Sequence, residues 1–337
     1  MKMAFAGLLA LAVLALEAAV CLGATKLTIA HPTVNPRIGP LWIADANGLF
    51  KKYGIDATVL FVRNAPLMIA AMKTGAIPVA YGGGSGIVGA SAAESDMRVL
   101  ATFTGRMTNN VVARPGIKTP QDLRGKTLGI QGVGGTNWMA ALLWLEHFGL
   151  DTRRDNILLQ GTGEQVVRAQ ALESGRVDAA VIDMAFSKKL AARGFNIIGD
   201  SEKTEIPFTG VDIVATRGYI DGQPDLIENM LKAVIEGEAY MIAPANRAAV
   251  IDLIVKKMRL KETVTAEEGY HETVRTLARK PYPELQGMRN VQRLLKTQNP
   301  RIGDVNIEDL VDSRFIKKLD ESGFIERAFA AQGLSAK

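Results

Sequence analysis

The sequence predicts an α/β fold in which two lobes of mainly parallel strands and helices are built in succession. Three observations carry that prediction. Short apolar strands alternate with helical runs through the first part of the chain, the pattern of βαβ units. The pattern then recurs 100 residues later: Lys26-Leu27-Thr28 is answered by Lys126-Thr127-Leu128, and the helix–Gly–strand junction at 74–80 by the one at 174–180. The 337 residues also suffice for about two domains of ~100–200 residues each.

Taken in order, strands read at 26–30, 56–61, 78–81 and 97–102, with helical runs at 41–53, 66–74 and 85–94. Gly54 and Gly75 stand where a helix takes a left-handed terminator. The second unit reads as strand 127–130, helix 136–147, strand 157–159, helix 164–174, strand 179–182 and helix 185–192. Glycine ends helices in any α/β chain, so the shared offset, rather than residue identity, argues for two related lobes. From about residue 212 the texture changes: a strand at 212–216 precedes a mostly helical tail opened by Pro224. Crossings between lobes are expected at 104–112 and 205–211. The domain reading is a signal peptide at 1–24, a discontinuous first lobe at 25–108 and 208–337, and a second lobe at 109–207.

The leader is read from charge and hydropathy. Lys2 precedes an uncharged Leu/Ala-rich run at 3–16, and Glu17 cuts it short of a membrane span. Small residues around Gly23 and Ala24 offer a cleavage site. Lipidation of Cys21 ranks second, because Val20 stands where a small residue is usual. A buried N-terminal helix ranks below both. The chain has one cysteine and three histidines, which excludes a disulfide framework and a cysteine-rich zinc site. The formal charge of +5 comes without the dense basic tract of a nucleic-acid binder.

Two glycine-rich loops carry the chemistry. The segment 127–138 reads strand, glycine turn, helix, and glycines let a backbone approach a ligand while a helix N-terminus offers free N–H groups. Asn137 fills the third glycine position of a dinucleotide fingerprint, so the loop is either a ligand site or a tight turn capped by Thr136. Gly125-Lys126-Thr127 precedes a strand and lacks the first glycine of a P-loop, since Pro120 stands there. Gly83-Gly84-Ser85-Gly86-Ile87 is one residue from a nucleophile elbow; Asp183 or Asp212 with His271 would keep hydrolase order. Ser85 otherwise caps a helix and donates to a ligand. Arg63 and Arg106 follow strands and are anion clamps or surface charges; Trp42 and Trp138 line a cleft or pack in a core. Asp183 follows a strand, and Asp212 sits at the return crossing.

With these residues in view, a family is recognisable. The run from Pro40-Leu41-Trp42 through Asn47-Gly48-Leu49-Phe50-Lys51-Lys52-Tyr53-Gly54-Ile55-Asp56 resembles the opening signature of periplasmic substrate-binding proteins of the nitrate/sulfonate/taurine and thiamine-precursor (NMT1/THI5-like) group. The segments 118–130 and 172–180 are similar to its second-lobe entry and third common segment, and the resemblance spans about residues 26–241. It implies a type II periplasmic binding fold, two lobes joined by two crossing segments, with a helical C-terminal tail here. The histidine- and cysteine-rich motif of the related yeast pyrimidine synthases is absent.

The resemblance implies an extracytoplasmic solute-binding protein that captures a small anionic or polar organic solute, such as a sulfonate, carboxylate, nitrate or pyrimidine. It would deliver the solute to an ABC permease and its ATPase, as a periplasmic monomer without catalysis, cofactor or metal. By position, the cleft is lined by Asn35, Arg63, Asn64, Gly84 and Ser85 of the first lobe, and by Gly135, Thr136, Asn137, Trp138 and Asp183 of the second. The alternatives are a ligand-binding sensor component of a membrane receptor system and a periplasmic serine hydrolase.

Overall fold

The computed structural model describes residues 24–63, 65–91 and 96–335. Residues 1–23 of the expected leader, Cys21 among them, fall outside the described residues, as does Asn64.

Among the described residues, ten strands form two five-stranded sheets. The first contains β1 (Thr25–His31), β2 (Ile55–Phe61), β3 (Val79–Tyr81), β4 (Met97–Arg106) and β10 (Pro207–Thr216). The second contains β5 (Asn109–Ala113), β6 (Thr127–Ile130), β7 (Leu158–Gly161), β8 (Ala179–Asp183) and β9 (Asn196–Gly199). The orders are β2-β1-β3-β10-β4 and β7-β6-β8-β5-β9. In each, the first strand of the unit pairs parallel with the second and third, and one strand runs antiparallel between the third and the edge. The two sheets therefore share one topology. Val79 and Ala179, 100 residues apart, each open the third strand of their sheet. Gly75 and Gly175 take left-handed φ values of 76° and 75° at the ends of the preceding helices, the helix–Gly–strand junction seen in sequence.

The antiparallel strands are where sequence and structure part. The sequence pattern does not announce β5 or β9, β4 runs four residues past the expected 102, and β10 begins at Pro207 instead of 212. Asn109 and Asn110 open β5 and leave only Val111-Val112-Ala113 as an apolar run, too short to mark a strand. The chain crosses from β4 to β5 through Met107 and Thr108 alone, and Met107 N–H donates to Ile206 O (2.9 Å) on the returning segment. The expected crossings are thus largely extended strand.

The central strands are buried on both faces and almost wholly apolar, as covered parallel sheets require: β3 is Val-Ala-Tyr with every residue buried. Helix Pro224–Ile242 packs on helix Gly39–Ala46 so closely that a Cβ at Gly237 would meet Pro40 O at 2.3 Å. Helix Leu285–Lys296 packs on β10 and helix Gly84–Ser91, and also touches helix Thr136–His147 of the second unit. Helix Thr263–Thr276 packs on helix Met184–Ala191 and on the 3-10 turn Pro36–Ile38. The tail thus braces both sheets. No helix among the described residues is long and apolar enough to cross a membrane.

Candidate functional site

The C-terminal ends of β1, β3, β6, β7 and β8 converge on one cleft between the sheets, the place where open α/β sheets bind ligands. Its outer part is a chamber of about 840 Å³ walled by Pro32, Phe61, Arg63, Pro66, Leu67, Val133, Gly135, Thr136 and Glu164. That volume suits a small organic molecule. Beneath it lies a polar pocket of about 60 Å³, lined by Asn35, Arg37, Asn109, Gln131, Thr136, Asn137, Glu164, Arg168 and Asp183 among others.

The first lobe presents Arg37 to this pocket through a local capping device. Asn35 is extended, its Oδ1 accepts from Arg37 N–H (3.1 Å), and Pro36 opens the 3-10 turn. The Arg37 guanidinium then reaches into the second lobe, to Asp183 Oδ1 at 2.9 Å, and also bonds Thr108 Oγ1. Glu272 Oε1 stands 3.7 Å away on the other side. Burial works against the Arg37 charge, but Asp183 and Glu272 outweigh it and hold its pKa above the ordinary value. Asn109 also donates to Asp183 Oδ1. Beside the loop, His31 packs between Trp42 and Phe61 with Nδ1 2.7 Å from Thr33 O; burial lowers its pKa, so the ring is neutral at pH 7.

Each lobe also directs a helix N-terminus toward the cleft, and the two meet where Ser85 Oγ donates to Thr136 Oγ1 at 3.2 Å. The first of these ends is occupied from within the chain. Asp212 on β10 is fully buried, accepts from Thr102 Oγ1 (2.6 Å) and Thr209 Oγ1 (2.8 Å), and takes the Gly84 N–H. Burial pushes its pKa up to about 6, against those hydrogen bonds. Gly84 is required there: a Cβ would lie 2.0 Å from Asp212 Oδ2.

The sequence-predicted residues sort into three groups. Asn35, Arg63, Gly135, Thr136, Asn137 and Asp183 line the cleft. Asn137 nonetheless has both amide atoms engaged by the main chain, accepting from Gln131 N–H (2.9 Å) and donating to Val181 O (3.3 Å). Gly84 and Ser85 stand behind the wall, Ser85 reaching it only through Thr136. Trp138 turns into the hydrophobic core and lines neither chamber nor pocket, because its helix position faces the sheet. Arg106 pairs with Glu205 on the surface, and His271 lies at an exposed contact with Arg247.

Sequence reasoning missed Arg37, Glu164 and Arg168. Arg168 is buried, and each of its three nitrogens donates: Nε to Val181 O (2.7 Å), the other two to Gly163 O (2.6 Å) and Gln165 Oε1 (2.6 Å). Burial lowers its pKa to about 10. Glu164 Oε1 accepts from Gln131 Nε2 (3.0 Å), and burial raises its pKa. The signal was present: Glu164 follows a strand end, and Arg168 lies one helical turn later on an otherwise apolar face.

Comparison with known proteins places this cleft in context. The family model described as NMT1/THI5 like matches residues 35–248. A relative from Brucella abortus (strain 2308), assigned a binding role by name only, is 21% identical over 238 residues, 65% of this chain and 67% of the relative. The Escherichia coli periplasmic aliphatic sulphonate binding protein SsuA superposes with a TM-score of 0.69 at 19% identity, covering 85% of this chain and 97% of SsuA. The desulfurization enzyme DSZB superposes with a TM-score of 0.63 at 18% identity, covering 88% of this chain and 99% of the enzyme. The fold is that of periplasmic binding proteins, and it serves binding proteins and an enzyme alike.

Proposed function

Because the chain belongs to the NMT1/THI5-like family, we propose that it is a periplasmic solute-binding protein that closes two lobes on a small organic solute and delivers it to an ABC permease and its ATPase. Residues 25–108 with 208–337 would form one lobe and 109–207 the other, acting as a monomer exported on the leader at 1–24. The observation that carries the reading is the cleft itself. Its walls come from both sheets, and Arg37–Asp183 and Ser85–Thr136 bond across it. A solute touching both walls stabilises the closed form in proportion to its preference for that form.

A serine hydrolase fits the site less well. Ser85 is fully buried and donates to a threonine hydroxyl rather than to a base. A sensor component would use the same cleft with a different docking partner.

The test is a thermal-shift panel of sulfonates, carboxylates, nitrate, aromatic acids and pyrimidines. A solute at 100 times its Kd adds about 2.7 kcal/mol of stability. Scattering should show closure with the same solute. Folded protein that responds to no compound overturns the reading, and turnover of ester substrates replaces it with the hydrolase.

A further inference from the structure

We propose that this cleft takes an uncharged organic solute with an apolar body and a hydrogen-bond-donating head, and that Glu164 is the side chain that turns acids away; this rests on the solute-binding reading above.

The argument begins with the donors an anion would need. The two arginines of the inner pocket already hold partners within the chain. Arg37 is held by Asp183 at 2.9 Å and Glu272 at 3.7 Å. Arg168 spends three of its five N–H groups on oxygens of its own lobe. Behind the wall, the helix end at Gly84 is filled by the Asp212 carboxylate, itself bonded to two threonine hydroxyls. An anion drawn to Arg37 must compete with the Asp183 and Glu272 carboxylates already beside it, and displacing either leaves that carboxylate buried and uncompensated.

The acceptors stand differently. Glu164 lines both the inner pocket and the outer chamber. One of its oxygens accepts from Gln131. A carboxylate offers about four acceptor positions, so it has capacity for an N–H or O–H of a ligand. The same group repels a carboxylate or sulfonate brought beside it. Arg63 is the one arginine among the described residues of the chamber wall, and no ion pair joins it to Glu164.

The chamber walls select the body. Phe61, Leu67 and Val133 stand 45%, 54% and 68% exposed, one from β2, one from the helix Ala65–Lys73 and one from the loop after β6. Large apolar side chains from both lobes, exposed on facing walls of one cavity, are the surface that an apolar solute covers. The pocket of about 60 Å³ admits only a head group, so the body must occupy the chamber of about 840 Å³.

Matched pairs test this by calorimetry at pH 7.5: 3-phenylpropanamide against 3-phenylpropanoate, and benzenesulfonamide against benzenesulfonate. The neutral member should bind at least about tenfold tighter, the value of one hydrogen bond to a charged acceptor. Glu164→Gln should narrow that ratio to about threefold or less, chiefly by improving the acid. Acids that bind tighter than their amides, or a ratio unchanged in Glu164→Gln, overturn the proposal and leave the solute-binding reading standing. The proposal falls in the same way if these pairs are silent while nitrate or small alkanesulfonates bind. Silence of every compound, in folded protein, overturns both. The wild-type comparison stands alone should Glu164→Gln fold poorly.

Discussion

Arg37, on the turn after β1, reaches across the cleft to Asp183, the last residue of β8, at 2.9 Å. One follows a strand of the first sheet and the other ends a strand of the second, so the pair fastens one lobe to the other beside the pocket. Both side chains are 13% exposed, which keeps solvent screening small.

Arg37→Met removes that fastening and leaves Asp183 and Glu272 without their shared cation. Breaking a buried pair on one side costs about 3 kcal/mol or more. Urea unfolding should show a loss of that order, and scattering should show a larger radius of gyration as the lobes part. An unchanged radius would mean that the lobes are held by the tail helices alone.

Asp212 makes stability depend on pH. Its pKa is raised from 3.8 in the unfolded chain to about 6 by burial. Between those values the folded state keeps a proton that the unfolded chain has released, so stability falls as pH rises through that window. The shift of about two pH units corresponds to ~3 kcal/mol. Asp212→Asn should flatten the fall in unfolding free energy between about pH 4 and 6. A slope retained in that variant would assign it to another group.

Gly84→Ala places a methyl group 2.0 Å from Asp212 Oδ2 and 2.6 Å from Thr209 Oγ1. The carboxylate must leave the helix end, at a cost of about 3 kcal/mol from overpacking and lost hydrogen bonds. Gly132→Ala is the control, because nothing lies within 4 Å of a Cβ there. Thermal unfolding should separate the two by about 5 °C. Equal melting temperatures would sink the assignment of Gly84 as a close-approach position.

Glu238 is fully buried on the helix Pro224–Ile242, and neither carboxyl oxygen has a hydrogen-bond partner among the described residues. Burial pushes its pKa well above the usual carboxylate range, so it is held neutral. Glu238→Met removes an unsatisfied group without opening a large void. It should raise the unfolding free energy by about 1–3 kcal/mol. A destabilised variant would show that the carboxyl has a partner in solution.

Much of the site follows from one local rule, that loops at strand C-terminal ends face the cleft. Applied to β1, β2, β6 and β8, the rule finds Asn35, Arg63, Gly135, Thr136 and Asp183; extended to β7 it reaches Glu164. It does not say which side chains stay free. Asn137 sits in the right loop, yet its amide ties that loop to Gln131 and Val181. Trp138 is the next residue on the helix, and the 100° turn from one helical position to the next carries it into the core.

What the sequence by itself determined is everything encoded over short spans. The alternation of strand and helix, the glycine-terminated helices and the echo at 100 residues follow from backbone preference and hydrophobic period, which need no distant partner. The tertiary structure alone decided what depends on residues far apart in the chain. It sends β5 and β10 antiparallel into the two sheets, joins Arg37 to Asp183 across 146 residues, and seats Asp212 on the helix end at Gly84. Each is a non-local pairing whose partner is chosen by the closed geometry of the sheets, and a charge read singly in the sequence carries no mark of the opposite charge that will neutralise it.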